Sequence, residues 1–268
     1  MDKTSLGDRM KEYENVERRY LTRRAPLMIR LDGVHFHSFT KGFEKPYYLA
    51  FRQAMWDTAL MLCSHMMGAK IAYTQSDEIT ILVTDDDSLD TQAWFGKNLQ
   101  KVVSVSASMA TYWFNKFAFN AAARYKDGDA LSKAAENKIA TFDARAFLLP
   151  REEVMNCFEW RQQDCTRNAI ESLGQANFSH KQLLGKSCNE IQEMLFSEKG
   201  INFNDCPTWY KRGVCIVKTP KEIEAKDGTT MTRMKWTIDA EIPIFHQEPD
   251  YINRFVNQKE GDKYGRSD

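Results

Sequence analysis

Apolar residues in the first third of the chain recur with two different periods. Leu27, Ile29 and Leu31 alternate through residues 25–31, the period of a strand, and the run ends abruptly in Asp32-Gly33. Ahead of it, residues 5–22 read as a polar helix. Behind it, residues 47–66 carry Phe51, Met55, Leu60 and Leu62 at helical spacing. Residues 70–75 (KIAYTQ) and 79–84 (ITILVT) are β-branched runs of strand length, with Ser76-Asp77-Glu78 between them as a hairpin turn. Residues 94–118 hold Trp94, Leu99, Val102, Val103, Met109, Trp113 and Phe117; Val and Ser alternate at 102–106, but the length favours a helix. Residues 139–148 supply a fourth strand. The order β-α-β-β-α-β predicts an α+β fold with a ferredoxin-like core.

Beyond residue 150 the pattern becomes mainly helical, at 151–175 and 179–197. A hairpin is then predicted from residues 214–218 and 231–239, on either side of the turn signal KDG at 226–228. The last twenty residues are polar and read as frayed. These changes divide the chain into a core at 1–149, a helical and hairpin elaboration at 150–246 and a polar tail at 247–268.

Composition narrows the classes. The 268 residues are 43% hydrophobic, ordinary for a globular protein, and no apolar run approaches the ~20 residues of a membrane span. The first residues lack the apolar segment of a secretory signal. Six cysteines without a CxxC pair point to reduced thiols in a cytoplasmic protein and away from structural zinc. The 37 basic and 37 acidic residues cancel, so any affinity for nucleic acid must come from local clusters such as RRYLTRR at 18–24, or from Arg145, Arg151, Arg161, Arg167, Lys211 and Arg212. The acidic run DDDSLD at 85–90 lacks the glycine and terminal glutamate of a calcium loop and reads as a solvated turn.

Candidate chemistry follows from the strand order. In a split βαβ unit the first two strands run parallel with the third between them. The end of the first strand then shares a sheet edge with the turn joining the second and third, which brings Asp32 beside Asp77. Each residue alone is ordinary turn chemistry. Together they would raise each other's pKa unless a divalent cation sat between them. Mg²⁺ takes one or two carboxylates plus substrate phosphates, and Gly33 leaves its carbonyl open to such an ion. His35 and His37 share one side of an extended chain, where packing or substrate contact is the simpler role.

Several blocks carry a resemblance. IRLDGxxFxxFT at 29–40, FEKP at 43–46, AYTQSDEIT at 72–80, EWRQQDC at 159–165, EMLFSEKGINFN at 193–204 and WYKRGV at 209–214 resemble, in order, the tRNA-histidine guanylyltransferase family of 3′–5′ polymerases. The resemblance implies a polymerase-like palm that binds two Mg²⁺ ions and GTP, ATP and other nucleoside triphosphates, extends tRNA at its 5′ end, and assembles as a homotetramer. It makes Asp32 and Asp77 the catalytic, metal-binding carboxylates, with Gly33 giving its main-chain oxygen. Val34, His35, Phe36, His37, Lys45, Ser76, Glu78 and Lys101 join Asp32, Gly33 and Asp77 as nucleotide-binding positions. Arg161, Arg167, Asn168, Lys211 and Arg212 are the expected tRNA contacts. One block departs: where the enzymes that modify tRNA-His carry HINNLYN, this chain reads TRNAIES at 166–172 and keeps only Asn168. That resembles the guanylyltransferase-like branch, implied to repair 5′-truncated tRNA against the opposite strand. A dedicated tRNA-His guanylyltransferase, a palm-type nucleotide cyclase and a non-catalytic tRNA-binding protein are the alternatives.

Overall fold

The alternation of the first strand becomes a two-faced sheet. In the computed structural model, which describes residues 5–43, 45–224 and 230–257, β1 (Leu27–Gly33) places Leu27, Ile29 and Leu31 in one buried cluster and Met28 in another. A polar helix α1 (Ser5–Val16) precedes it. After it come α2 (Phe36–Phe39), α3 (Leu49–His65), β2 (Ala69–Gln75), β3 (Glu78–Val83), α4 (Leu99–Phe119), α5 (Gly128–Asn137) and β4 (Phe142–Leu148). The second half adds α6 (Glu153–Asn177), α7 (His180–Leu183), α8 (Cys188–Lys199), α9 (Thr208–Arg212), β5 (Val214–Glu224), β6 (Thr230–Asp239) and α10 (Asp250–Asn257).

The strands form one sheet in the order β4-β1-β3-β2-β5-β6. β3 runs antiparallel to both β1 and β2, so those two are parallel, as expected from the sequence. α3 crosses from β1 to β2, and α4 from β3 to β4. Both pack on the face carrying Leu27, Ile29, Leu31, Ile79 and Ile81. The opposite face, with Met28, Ile71, Tyr73 and Leu82, meets Val154, Phe158 and Cys165 of α6 and Ile252, Phe255 and Val256 of α10. The later half of α6 forms a third cluster with α8 and α9. The predicted hairpin is present and extends the same sheet, Val214 lying opposite Thr74; its turn signal at 226–228 lies outside the described residues.

Four expectations change. α1 stops at Val16, and Tyr20 instead bridges to Asn98. The helix foreseen at 94–118 is interrupted: Phe95, Gly96 and Lys97 have φ of 48°, 59° and 59°, and α4 begins afresh behind the Asn98 cap, whose side chain accepts from the Lys101 amide. The helix foreseen at 179–197 is two pieces; α8 starts at a Ser187–Glu190 capping box and ends at Gly200, φ 67°. The tail is not wholly frayed, because α10 buries Ile252, Phe255 and Val256 at helical spacing; residues 258–268 lie outside the described residues.

The acidic run is likewise no solvated turn. Asp85 is 1% exposed and pairs with buried Lys97 at 2.7 Å and with Arg23 at 2.6 Å. Asp87 pairs with Lys70 at 2.6 Å, and Asp86 with Arg151. Lys97 also donates to the Thr22 and Ala25 carbonyls, so one buried ammonium ties the entry to β1, the exit from β3 and the start of α4 together. Removing its counter-charge leaves that ammonium stranded. Asp85→Ala is expected to lower unfolding stability by about 3–5 kcal/mol, and Asp85→Ala with Lys97→Met to recover most of it. Denaturant titration of the two variants checks this.

Candidate active site

The two carboxylates meet where the strand order puts them. The Gly33 amide donates to the Asp77 carbonyl at 3.2 Å, joining the end of β1 to the β2–β3 turn. That turn is two residues, Ser76 and Asp77, since Gln75 already pairs with Glu78. Ser76 takes φ 49°, a left-handed conformation that usually favours glycine. Gly33 is a glycine for a packing reason: a Cβ there would lie 2.3 Å from the Phe36 ring. Phe36 is buried among Phe39, Phe51, Phe114 and Phe142, so this aromatic cluster fixes the bend that carries His35 (φ 56°) and His37 past the carboxylates.

A cavity of about 460 Å³ opens beside this bend. Gly33, His35, Phe36 and His37 form one wall, and Gln75, Ser76 and Asp77 its floor. Tyr48, Phe51 and Arg52 enter from α3, Cys165, Asn168, Ala169 and Ser172 from α6, and Tyr210 from α9. Burial, and then the neighbouring Asp32, push the Asp77 carboxyl above its ordinary range. Burial and Asp143, directly across on β4, do the same for Asp32, against the opposing pull of Arg145, Arg30 and Arg161. Both shifts mark negative charge incompletely compensated by protein, and the donors are hard oxygens. Among the described residues no group of three or more His, Cys, Asp or Glu side chains is placed to hold a metal. Two carboxylates with the Gly33 carbonyl still fit Mg²⁺, which completes its shell with water and phosphate oxygens.

The other expected residues divide. Val34 sits exposed at the bend, its amide held by the Thr141 carbonyl at 2.8 Å. Glu78 faces away from the cavity and pairs with Arg161 at 2.8 Å; burial raises its pKa and Arg161 opposes that. Arg161 is therefore a buried partner of Glu78 and of Asp164 (3.1 Å), not a free tRNA contact. Lys45 lies outside the cavity lining and donates to Gln175 at 3.3 Å, one turn beyond Ser172. Lys101 is not brought to the carboxylates. It opens α4 beside the Lys97–Asp85 pair, at the other end of β3 and roughly 20 Å from Asp77 at strand rise. Asn168 lines the cavity. Arg167 is exposed and pairs with Asp164. Lys211 and Arg212 donate to the carbonyls of Asn204 and Ile242 and line a separate cavity of about 370 Å³.

Sequence reasoning missed Arg52, the one Lys or Arg side chain in the cavity lining, whose Nε is buried without a hydrogen-bond partner. It also missed Tyr48, Ser172 and Tyr210. The one available signal was that Arg52 stands within the first two turns of the helix predicted at 47–66, close after Lys45-Pro46. The Cys165 thiol in the same wall is pushed up to about 11 by burial, so it is protonated at neutral pH.

The chain is similar to known proteins along most of its length. Residues 7–150 match the model of a family described as tRNAHis guanylyltransferase, and residues 152–247 match its C-terminal domain. The tRNA(His) guanylyltransferase of Schizosaccharomyces pombe is 31% identical over 228 residues, 80% of this chain and 81% of that one. Among solved structures, a bacterial tRNA(His) guanylyltransferase-like protein in complex with ATP is 46% identical at a TM-score of 0.82, covering 94% of this chain and 99% of that one. A bacterial guanylyltransferase-like protein in complex with GTP is 41% identical at a TM-score of 0.76, with coverage of 95% and 100%.

The raised carboxyls give a test independent of turnover. A carboxyl whose folded-state pKa lies above its unfolded value destabilises the fold once pH exceeds that folded pKa, and the penalty is relieved as pH falls through it. Without divalent ions at pH 7, Asp77→Asn is expected to raise the melting midpoint by roughly 2–4 °C, and the gain should shrink towards pH 4. Added Mg²⁺ should raise the midpoint of the parent protein and leave that of Asp77→Asn unmoved. Thermal melts across pH and Mg²⁺ concentration check both.

Proposed function

The chain belongs to the tRNAHis guanylyltransferase family, a family of nucleotidyltransferases, and on that premise we propose that it is a template-dependent 3′–5′ nucleotidyltransferase acting on 5′-truncated tRNA. The observation that carries the reading is the fate of the TRNAIES block. It is no peripheral loop: Ala169 and Ile170 are buried in the third cluster, while Asn168, Ala169 and Ser172 face the cavity beside Asp77. The residues that differ from HINNLYN therefore shape the wall of the site. The relatives bound to ATP and to GTP support both purine nucleotides as occupants.

In the proposed reaction the 3′-hydroxyl of the incoming nucleotide attacks the activated 5′-phosphate of the tRNA, and pyrophosphate or AMP leaves. Asp32, Asp77 and the Gly33 carbonyl would hold two Mg²⁺ ions, which when bound lower the pKa of the attacking hydroxyl and neutralise the leaving phosphates. The bend from Val34 to His37 positions the triphosphate, with Arg52 supplying positive charge within the cavity. Tyr48, Phe51 and Tyr210 give the cavity the apolar walls a base requires. Glu78, held by Arg161, fixes the β3 end of the turn so that Asp77 keeps its place. The base opposite the gap selects the incoming nucleotide by pairing, so the protein reads shape and phosphates. A homotetramer in the cytoplasm follows from the same family reading; no helix among the described residues is long and apolar enough to cross a membrane.

The test compares matched full-length and 5′-truncated tRNAs, labelled, with Mg²⁺ and each nucleoside triphosphate in turn. The expected result is faster addition to the truncated stem, of the nucleotide complementary to the opposing base. Preference for full-length tRNA-His, or guanosine addition whatever the opposing base, would make the protein a dedicated tRNA-His guanylyltransferase. A cyclic nucleotide product without tRNA would make it a cyclase. Asp32→Ala and Asp77→Ala are each expected to lower addition by several kcal/mol of barrier, on the order of a thousandfold, in folded protein.

A further inference from the structure

The cavity beside Asp77 has room for one nucleotide, yet the proposed reaction brings two substrates to the same carboxylates. The second must approach from outside that lining. On the sheet face that carries Asp32, Trp160 of α6 is 52% exposed and stacks on no other aromatic ring among the described residues. The Arg161 guanidinium lies 3.9 Å from its ring centroid, and that of Arg30 lies 5.5 Å away. Arg161 is itself locked by Glu78 and Asp164, so the indole rests on a fixed support. Arg30 is two residues before Asp32 on β1, hence on the same face, and stands directly opposite the exposed Arg145 of β4. Neither Arg30 nor Arg145 has a carboxylate within ion-pairing distance among the described residues. A half-exposed indole resting on the paired Arg161, with the unpaired Arg30 beside it and Arg145 next to Arg30 on β4, is a surface on which a nucleobase can stack while its phosphate is neutralised. Trp160, Arg30 and Arg145 are all absent from the cavity lining; the cavity reaches Asp77, the arginine surface reaches Asp32, and the Gly33–Asp77 hydrogen bond joins the two.

We infer that Trp160, with Arg30 and Arg145, seats the terminal nucleotide of the RNA strand to be extended, while the incoming nucleotide occupies the cavity. The inference rests on the reading of the protein as an enzyme that extends RNA at its 5′ end. Its test does not depend on turnover. A hairpin RNA with a recessed 5′ end carries 2-aminopurine as its first nucleotide, and the fluorescence of that base is followed on binding to the full-length protein. Stacking should quench it in the parent. The quench should be lost in Trp160→Ala and kept in Trp160→Phe, both with unchanged melting midpoints. In addition assays Trp160→Ala and Arg145→Ala should each raise KM for the RNA about tenfold while leaving KM for the nucleotide unchanged. If Trp160→Ala instead leaves the quench and the RNA KM at parental values, the inference is overturned. It is equally overturned if the variant changes only the sedimentation of the protein, which would make Trp160 a subunit contact. The two readings separate cleanly. A quench that follows Trp160 in a protein that adds nothing to truncated tRNA keeps the seat and discards the repair function. Normal extension by Trp160→Ala does the reverse.

Discussion

The hydrogen bond from the Gly33 amide to the Asp77 carbonyl closes a junction that electrostatics alone would open. It joins two chain segments whose carboxyls are both raised by burial, Asp77 further by Asp32 and Asp32 by Asp143. Held together without a cation they repel, so the junction survives because the surroundings over-determine it. β1 and β2 are both clamped to β3, and the turn between β2 and β3 is only two residues long. The Phe36 cluster pins the far side of Gly33, where even a methyl group would collide. Left-handed Ser76 and His35 are the local cost of placing a tight turn and a sharp bend side by side. Stability given up at this edge is recovered in the deep apolar core on both sheet faces.

That separation of roles explains why charges of one kind behave so differently here. Glu78 is next to Asp77 in sequence, yet its carboxylate points to the α6 face and is neutralised by Arg161. Alternation along a strand is enough to send one carboxylate to the cavity turn and the next to an internal ion pair. The same face collects Arg30, Arg145 and Asp143, so Asp32 stands at the boundary between an acidic edge and a basic surface.

Much of this is legible in the sequence alone. The β-branched runs, the spacing of Phe51, Met55 and Leu62, and the order of strands and helices suffice for the core topology, and topology alone brings Asp32 to Asp77. The resemblance of the quoted blocks to guanylyltransferases agrees with the family match. What was not legible depends on distant partners. Nothing near DDDSLD discloses that Asp85 meets Arg23 and Lys97, or that Asp86 meets Arg151. Nothing near EWRQQDC discloses that Arg161 spends its charge on Glu78, 83 residues away. Arg52 and Tyr210 reach the cavity from separate elements whose packing no local period encodes. Lys101 carries a motif but opens a helix at the wrong end of the sheet within this chain, and α10 hides a short amphipathic period inside a polar tail.

Helix α6 is the element through which these parts act on one another. Over its 25 residues it supplies Trp160 and Arg161 two turns from its start, Cys165, Asn168 and Ser172 to the cavity, and Ile170 and Leu173 to the third cluster. Trp160 and Asn168 are about 12 Å apart along its axis at helical rise. The helix is fixed to the sheet by Arg161–Glu78 and to the segment before α10 by Gln162, which accepts from the Phe245 amide at 2.8 Å and donates to the Pro243 carbonyl at 2.9 Å. A rigid rod pinned in this way cannot adjust one wall without carrying the other. The substitutions that turn HINNLYN into TRNAIES change packing and cavity contacts on the same two turns, so their effect reaches beyond the residues they replace. A shift of α6 by a few tenths of an ångström would move the cavity wall and the Trp160 surface together, relative to carboxylates that the sheet holds still. The packing of the third cluster and the shape of the cavity wall are then two readouts of one mechanical change.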